Sequence, residues 1–379
     1  MGRDIPISNT RFSDLQAAFL IAYAVMYALG GKLLDLWGTR SGFFLIMLWW
    51  SLASASHGFA FSFSMLMVSR FLLGMGEGGG FPAATKAVAE WFPVRERSLA
   101  MGIINAGTAL GAVIAPPFIA VILSITSWRW VFYLSGAAGL LWLVWWWMDY
   151  RLPSMYSNPD EAPAAFETAL PWVKLFSLPE VWGLVIAKFL SDSAWYFYLF
   201  WLPKYLYDAR GFDVKRVGYY GWIPYAFAGI GCLVGGWFSG WLIRRGHSVN
   251  YARKMALGLS AAVMPCIALV THVPVHLAIV LFSIVFFGQQ SWSTLVMVLP
   301  ADLFPQSSVG SVAGLVGFGG AMGGMVFGLV VGYLLDHGFG YGVVFGIVST
   351  LHIAAFVLIL LTVRTVTSLP ALGRKVYAT

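Results

Sequence analysis

The chain has 379 residues, of which 59% are hydrophobic and only 10% charged, against roughly 25% charged in soluble domains. So little polar surface cannot cover a globule in water, which excludes a soluble domain and points to an integral membrane protein. The formal net charge of +7 comes with no nucleic-acid motif and reads as orientation signals beside lipid, so a nucleic-acid partner is not expected.

From the N-terminus, Met1-Gly2-Arg3-Asp4 is mixed in charge and no small-residue cleavage site follows, so no removable signal peptide is predicted. Apolar runs punctuated by turns and charges then predict eleven spans: 15–34, 42–61, 63–85, 98–124, 130–149, 180–204, 216–243, 254–272, 275–299, 307–335 and 340–363. Residues 41–69, 98–128, 217–243, 255–301 and 303–335 carry no Asp, Glu, Lys or Arg at all. A transmembrane β-barrel is excluded, because its strands would alternate with polar residues. Residues 150–177 form the longest polar stretch, with Pro153, Pro159, Pro163 and Pro171 among Asp160, Glu161 and Glu167, and read as a linker. The expected organisation is an N-terminal bundle of five spans over 1–150, a cytoplasmic linker over 151–178 and a C-terminal bundle of six spans over 179–379. Cys232 and Cys266 lie in apolar runs without metal-ligand or disulfide spacing, so no metal site and no cofactor are predicted.

Many secondary transporters are built from two six-helix halves, so a first half of five spans implies a helix missing ahead of Met1. If residues 32–40 face the cytoplasm, that side carries fourteen Lys and Arg against seven on the other, with Arg70 and Lys188 inside the membrane. The positive-inside rule then places the C-terminus in the cytoplasm and the N-terminus outside. One further helix would bring both ends to the cytoplasm.

Four ionisable acids or bases fall well inside predicted spans: Arg70, Glu77, Lys188 and Asp192. Each is costly there and needs a reason. Arg70 and Glu77 are seven residues apart, two helical turns or about 10.5 Å along one face. A guanidinium stays charged and offers a planar fork to a carboxylate, which makes Arg70 the candidate for holding an organic anion. Glu77, whose burial opposes ionisation while Arg70 favours it, is the candidate proton carrier; the alternative for the pair is a structural salt bridge. Lys188 and Asp192, at i and i+4, either neutralise each other or supply a second cation and a second proton site from the other half. His352, mid-span in the last helix, reads as a packed neutral imidazole.

Polyol recognition calls for flat apolar faces, hydroxyls and amides at cavity-facing positions. Tyr23, Asn105, Trp195, Tyr198, Gln289, Gln290, Trp292 and Ser293 are the candidates, with Trp195 and Tyr198 expected on one helix face. Helix-to-helix hydrogen bonding remains open for the two glutamines, and packing or interfacial anchoring for the two tryptophans.

Gly31-Lys32-Leu33-Leu34-Asp35-Leu36-Trp37-Gly38-Thr39-Arg40 resembles the signature loop between helices 2 and 3 of the major facilitator superfamily. Its glycines permit a tight turn and close helix approach, and Asp35 is placed to pair with a cation or a helix N-terminus of the facing bundle in one conformation only. A conformational latch of Asp35, Gly31, Gly38 and Arg40 is therefore expected. The second half has only a degenerate echo at residues 235–245, without an acid, so the first half should contribute more. Arg70-Phe71-Leu72-Leu73-Gly74-Met75-Gly76-Glu77-Gly78-Gly79-Gly80-Phe81-Pro82, Glu90-Trp91-Phe92-Pro93 and Arg95-Glu96-Arg97 resemble helix 4 and its exit loop in the anion:cation symporter branch. With Lys188-Phe189-Leu190-Ser191-Asp192, Trp195 and Trp201-Leu202-Pro203, the chain is similar to hexuronate and sugar-acid transporters of that branch. The resemblance implies an all-α, polytopic fold of two helical bundles and proton-coupled symport of a hexuronate or related sugar acid by alternating access. It further implies a monomer in a bacterial-type inner membrane, with the anion, protons and lipid as its partners. Alternatives are another organic anion (an aldonate, glucarate or phthalate-like aromatic acid), a ligand sensor, or an inactive truncated product. A membrane enzyme is not expected, because no Ser, His, Asp constellation or metal cluster occurs inside the spans.

Overall fold

Prolines and glycines divide the apolar runs into separate helices. In the computed structural model, which describes residue 5 and residues 9–151, 170–212 and 214–366, there are thirteen. They are α1 (Asn9–Trp37), α2 (Thr39–Ser56), α3 (Phe63–Glu77), α4 (Gly80–Trp91), α5 (Val94–Ile125), α6 (Trp128–Asp149), α7 (Trp172–Leu175), α8 (Pro179–Asp208), α9 (Val214–Arg244), α10 (Val249–Ala262), α11 (Val275–Leu303), α12 (Gln306–Asp336) and α13 (Gly340–Thr362). No strand occurs among the described residues. Pro93, Pro171, Pro274 and Pro305 each immediately precede a helix and Pro179 opens one; a fixed φ suits a first turn, where the missing N–H costs nothing. Ser62 and Ser248 cap α3 and α10 by accepting the N–H of Met65 and Tyr251. Gly38 turns the chain between α1 and α2 at φ 77°, a left-handed conformation that a side chain disfavours.

Among the described residues, nine helical segments are long and apolar enough to cross a membrane. Adding α8 and the α3–α4 pair gives, among the described residues, the eleven segments expected from the hydropathy pattern. Two details differ from that pattern. The run 63–85 is not one helix: it breaks between Glu77 and Gly80 and resumes as α4. Glycines hold helices poorly, and here they admit neighbours, since a methyl group at Gly78 would lie 2.5 Å from the Tyr23 carbonyl oxygen and one at Gly79 2.7 Å from Ile46. The run 254–272 passes from α10 into a 3-10 helix over Met264–His272, where Pro265 cannot donate to an α-helical ladder. Of the linker, residues 152–169, with Pro153, Pro159 and Pro163 and the three acids, lie outside the described residues.

Helices α1 to α6 pack around one another, as do α8 to α13, and the two groups meet through two antiparallel pairs, α1 with α12 and α5 with α9. Glycine makes both contacts possible. Methyl groups at Gly236, Gly240 and Gly102 would lie 2.2, 2.6 and 2.5 Å from the carbonyl oxygens of Ser98, Arg95 and Cys232, whereas further along, Gly229 meets Ala109 only at 3.4 Å. The halves are thus tightest at the end that holds Asp35, called the latch end below, and part toward the other. A core cluster shared by both halves, including Ala28, Val88, Met101, Leu295 and Val312, fills the latch-end side. A second, built from α8 to α13 around Phe282, Phe286 and Phe345, fills the far side of the second half. Exposed Ile21, Leu52, Val68, Leu141 and Leu361 form an apolar outer surface of the kind lipid covers.

Candidate functional site

The four intramembrane charges lie in two pairs, Arg70 and Glu77 on α3 and Lys188 and Asp192 on α8, and glycines on α3 and α12 bring neighbouring helices against each pair. On α3, methyl groups at Gly74 and Gly78 would strike the main chain of Phe19 and Tyr23 at 2.3 and 2.5 Å, so α1 lies directly on this helix and presents Tyr23 and Tyr27 beside Glu77. On α12, methyl groups at Gly320 and Gly324 would lie 2.2 Å from Asp192 Oδ2 and 2.0 Å from the Tyr196 ring. Tyr23, Tyr27 and Tyr196 stand within electrostatic reach of Glu77, and Tyr27 and Tyr196 of Asp192 as well. Residues from α1, α3 and α8 therefore converge between the halves. Arg70 and Glu77 are half-buried, act on each other electrostatically, and have no hydrogen-bond or ion-pair partner among the described residues. Their two-turn separation, about 10.5 Å along the helix, keeps them from direct contact with each other.

Lys188 is already engaged. Its Nζ lies 2.9 Å from Asp192 Oδ1 and donates at 2.9 Å to Ser293 Oγ on α11. Mutual neutralisation, one of the two readings of this pair, is what this conformation holds. Asn105 Nδ2 donates to Thr294 Oγ1 at 3.0 Å, joining α5 to α11 across the halves. Gln290 Oε1 is 3.7 Å from the Cys232 thiol, and Trp195 is half-buried edge-on to Phe286 at 5.6 Å.

Three candidates stand elsewhere. Tyr198 is fully buried against Phe286 and Phe197 inside the second half, Trp292 packs against His352 at 5.5 Å, and Gln289 is fully buried beside them on α11. The expectation that Tyr198 faces the cavity is corrected by helical geometry. At about 100° per residue, 188, 192 and 196 share a stripe, while 198 points about 120° away from Asp192. Tyr196 is the aromatic residue that α8 places within reach of both Asp192 and Glu77, and Tyr27 joins Tyr23 on α1. The i+4 spacing from Asp192 was the available signal for the first, and from Tyr23 for the second.

At the latch end, Asp35 Oδ1 accepts from Lys86 Nζ at 2.6 Å and from the Gly310 N–H at 3.1 Å, and Oδ2 accepts from the Ser311 N–H at 2.6 Å. The acid thus holds a cation of its own half and the N-terminal part of α12 in the other. Gly31 lies at the same crossing, where a methyl group would come 2.0 Å from the Gly310 carbonyl oxygen. Arg40 binds within its own half instead. Its Nη2 donates to the Trp147 carbonyl at 2.7 Å and the guanidinium lies over that indole, tying α2 to α6.

A second acid joins the halves at this end as well. Asp302 at the end of α11 receives Arg97 of α5 at 3.4 Å and Arg253 of α10 at 2.7 Å. Arg253 also donates to Ser239 Oγ of the echo segment and to the Val94 carbonyl, and Arg97 to the Ala301 carbonyl. The second half's acid is simply on another helix. A repeat in the sequence marks it: Ala89-Glu90-Trp91-Phe92-Pro93 and Ala301-Asp302-Leu303-Phe304-Pro305 close α4 and α11 alike. Glu90, the counterpart of Asp302, accepts from Thr39 Oγ1 at 2.6 Å and from the Tyr150 hydroxyl. Burial and the Glu90 carboxylate push the Tyr150 phenol well up, so it remains protonated as the donor.

A family model described as Major Facilitator Superfamily matches residues 1–327. A hexuronate transporter of Escherichia coli (strain K12) is 32% identical over 332 residues, which is 83% of this chain and 76% of that protein. A galacturonate transporter of Dickeya chrysanthemi is 30% identical over 273 residues, 68% of this chain and 79% of its own. Among solved structures, the transporter FucP in the outward conformation superposes with a TM-score of 0.73 at 16% identity, covering 94% of this chain and 91% of that one.

Proposed function

The chain belongs to the Major Facilitator Superfamily and is a multi-pass membrane transporter, not an enzyme; from that premise we propose that it carries a hexuronate or related sugar acid inward together with a proton. The observation that carries this reading is that Glu77, which acts on Arg70 of the same helix, stands within electrostatic reach of Tyr23, Tyr27 and Tyr196, of which Tyr27 and Tyr196 also reach Asp192 of the Lys188–Asp192 pair. Guanidinium and carboxylate match as forks, hydroxyls and aromatic faces suit a polyol ring, and the named relatives take sugar acids.

The proposed cycle uses two exclusive contacts. With the latch closed as here, the cavity opens toward the far end, assigned to the outside by the excess of Lys and Arg at the latch end. The substrate carboxylate docks on Arg70 and a proton on Glu77 removes the remaining charge, so one monocarboxylate and one proton cross without net charge. Lys188 released from Asp192 can meet the anion from the second bundle and draw the halves together. The latch then parts, and anion and proton leave toward the cytoplasm, where the C-terminus also lies. In this reading the carrier works as a monomer in the inner membrane, with bundles 1–150 and 179–379 moving about the linker 151–178.

Proteoliposomes carrying the purified protein, given an inward proton gradient and a panel of labelled hexuronates, aldonates and aromatic acids, test it. Gradient-stimulated uptake of hexuronates above the other classes is expected. Uptake of only another class, or uptake indifferent to a collapsed proton gradient, overturns the substrate or the coupling assignment respectively.

A further inference from the structure

The α1–α12 crossing is an antiparallel zipper whose rungs can be followed from latch to cavity. Asp35 faces Gly310 and Ser311. One turn on, Gly31 faces Gly310 and Gly314, with a methyl group at Gly314 falling 2.4 Å from the Tyr27 carbonyl oxygen. On the next rung the buried Tyr27 side chain itself enters the interface: a methyl group at Gly317 would lie 1.9 Å from Tyr27 Cε1 and 2.1 Å from Cδ1. The rung after that is Tyr23, edge-on to Tyr27 at 5.0 Å and clustered with Ala321. From Asp35 up to Gly31 the contact is made by a carboxylate, glycine and main chain; Tyr27 puts the first aromatic ring into it, within electrostatic reach of Glu77 and Asp192.

We propose that the Tyr27 ring, seated in the socket left by Gly317, is the gate that closes the substrate cavity toward the latch end. Gly317 is then a positioning residue whose missing side chain sets how far the halves can close. The inference rests on the transporter reading. Closing brings α12 onto α1 until the ring fills the socket; opening withdraws it, and the cavity then communicates with the latch end. A glycine is required at residue 317 because an added carbon at 1.9 Å is far inside contact distance and the ring lacks the long flexible stem that could yield.

The test uses spin labels at exposed Leu36 on α1 and Gln306 on α12, with Cys232 and Cys266 replaced by Ala, and reads their distance by double electron-electron resonance without substrate. A single short distance is expected for the parent protein, and loss of that population in favour of a longer one for Gly317→Ala. Tyr27→Phe should keep the short distance, since the ring remains, and Tyr27→Leu combined with Gly317→Ala should regain it. Tyr27→Ala alone creates no clash and should leave the short distance intact. An unchanged distance distribution in Gly317→Ala, or failure of Tyr27→Leu to restore the short distance in the Gly317→Ala background, overturns the proposal. Because the distance measurement needs no substrate, a protein that closes as described yet shows no flux overturns the transport reading and leaves the socket standing.

Discussion

The carboxylate of Asp35 accepts the N–H of Ser311 at 2.6 Å across 276 residues of sequence, and through that bond the last turn of a helix of the first half grips a helix of the second. The same carboxylate neutralises buried Lys86. Both attachments use the charge, and only the Ser311 and Gly310 bonds cross between the halves, the Lys86 bond lying within the first.

Asp35→Asn should therefore weaken the closed conformation selectively. Removing one partner of a buried ion pair costs about 3–5 kcal/mol, and Lys86 regains water only when the latch opens. The expected result is a shift of the Leu36–Gln306 label distance to longer values and slower net uptake. An unaltered distance distribution would show that the glycine contacts close the halves unaided.

Asp302 tests a different division of labour. Arg253 belongs to its own half and Arg97 to the other. Asp302→Ala leaves two guanidiniums uncompensated and should lower thermal stability in detergent by an amount on the order of 3–5 kcal/mol. Arg97→Gln, which leaves the Arg253–Asp302 pair intact, should instead retain most of the melting temperature while reducing the closed population. Equal melting losses in the two variants would count against this split.

At the cavity, Arg70→Lys keeps the charge but not the fork. A point charge cannot reproduce bidentate geometry, so affinity for the substrate should fall at least tenfold by binding calorimetry. Near-parent affinity removes Arg70 from the anion site.

Glu77→Gln mimics the protonated acid. Binding and counterflow exchange should persist while accumulation against a gradient is lost. If accumulation continues at the parent rate, the coupling role passes to Asp192, and Asp192→Asn becomes the variant expected to abolish it.

Local chemistry made much of this legible without coordinates. An apolar run long enough to cross hydrocarbon must become a helix, because nothing in lipid satisfies its backbone, and helical segments form along the expected runs, two of them interrupted, at Gly78–Gly79 and by the 3-10 helix over Met264–His272. A charge inside such a run is costly enough to mark itself, which is how Arg70, Glu77, Lys188 and Asp192 stand out. The i, i+4 stripe from Lys188 through Asp192 to Tyr196 is also written locally, although an aromatic two residues further on, Tyr198, drew attention to the wrong face.

What only the tertiary structure decided is which of these groups meet. Periodicity defines the faces of one helix but not which neighbour covers each, and that depends on glycines far away in sequence: Gly78 under Tyr23, Gly320 under Asp192, Gly317 under Tyr27. The second latch acid was hidden for the same reason. Asp302 acquires its meaning from Arg97 and Arg253, roughly 200 and 50 residues away and on other helices. The sequence determined the spans, the costly charges and the family, because hydrophobic burial and desolvation act along a single helix. Close approach of backbones, a property of pairs of helices, decided which side chains meet between the halves.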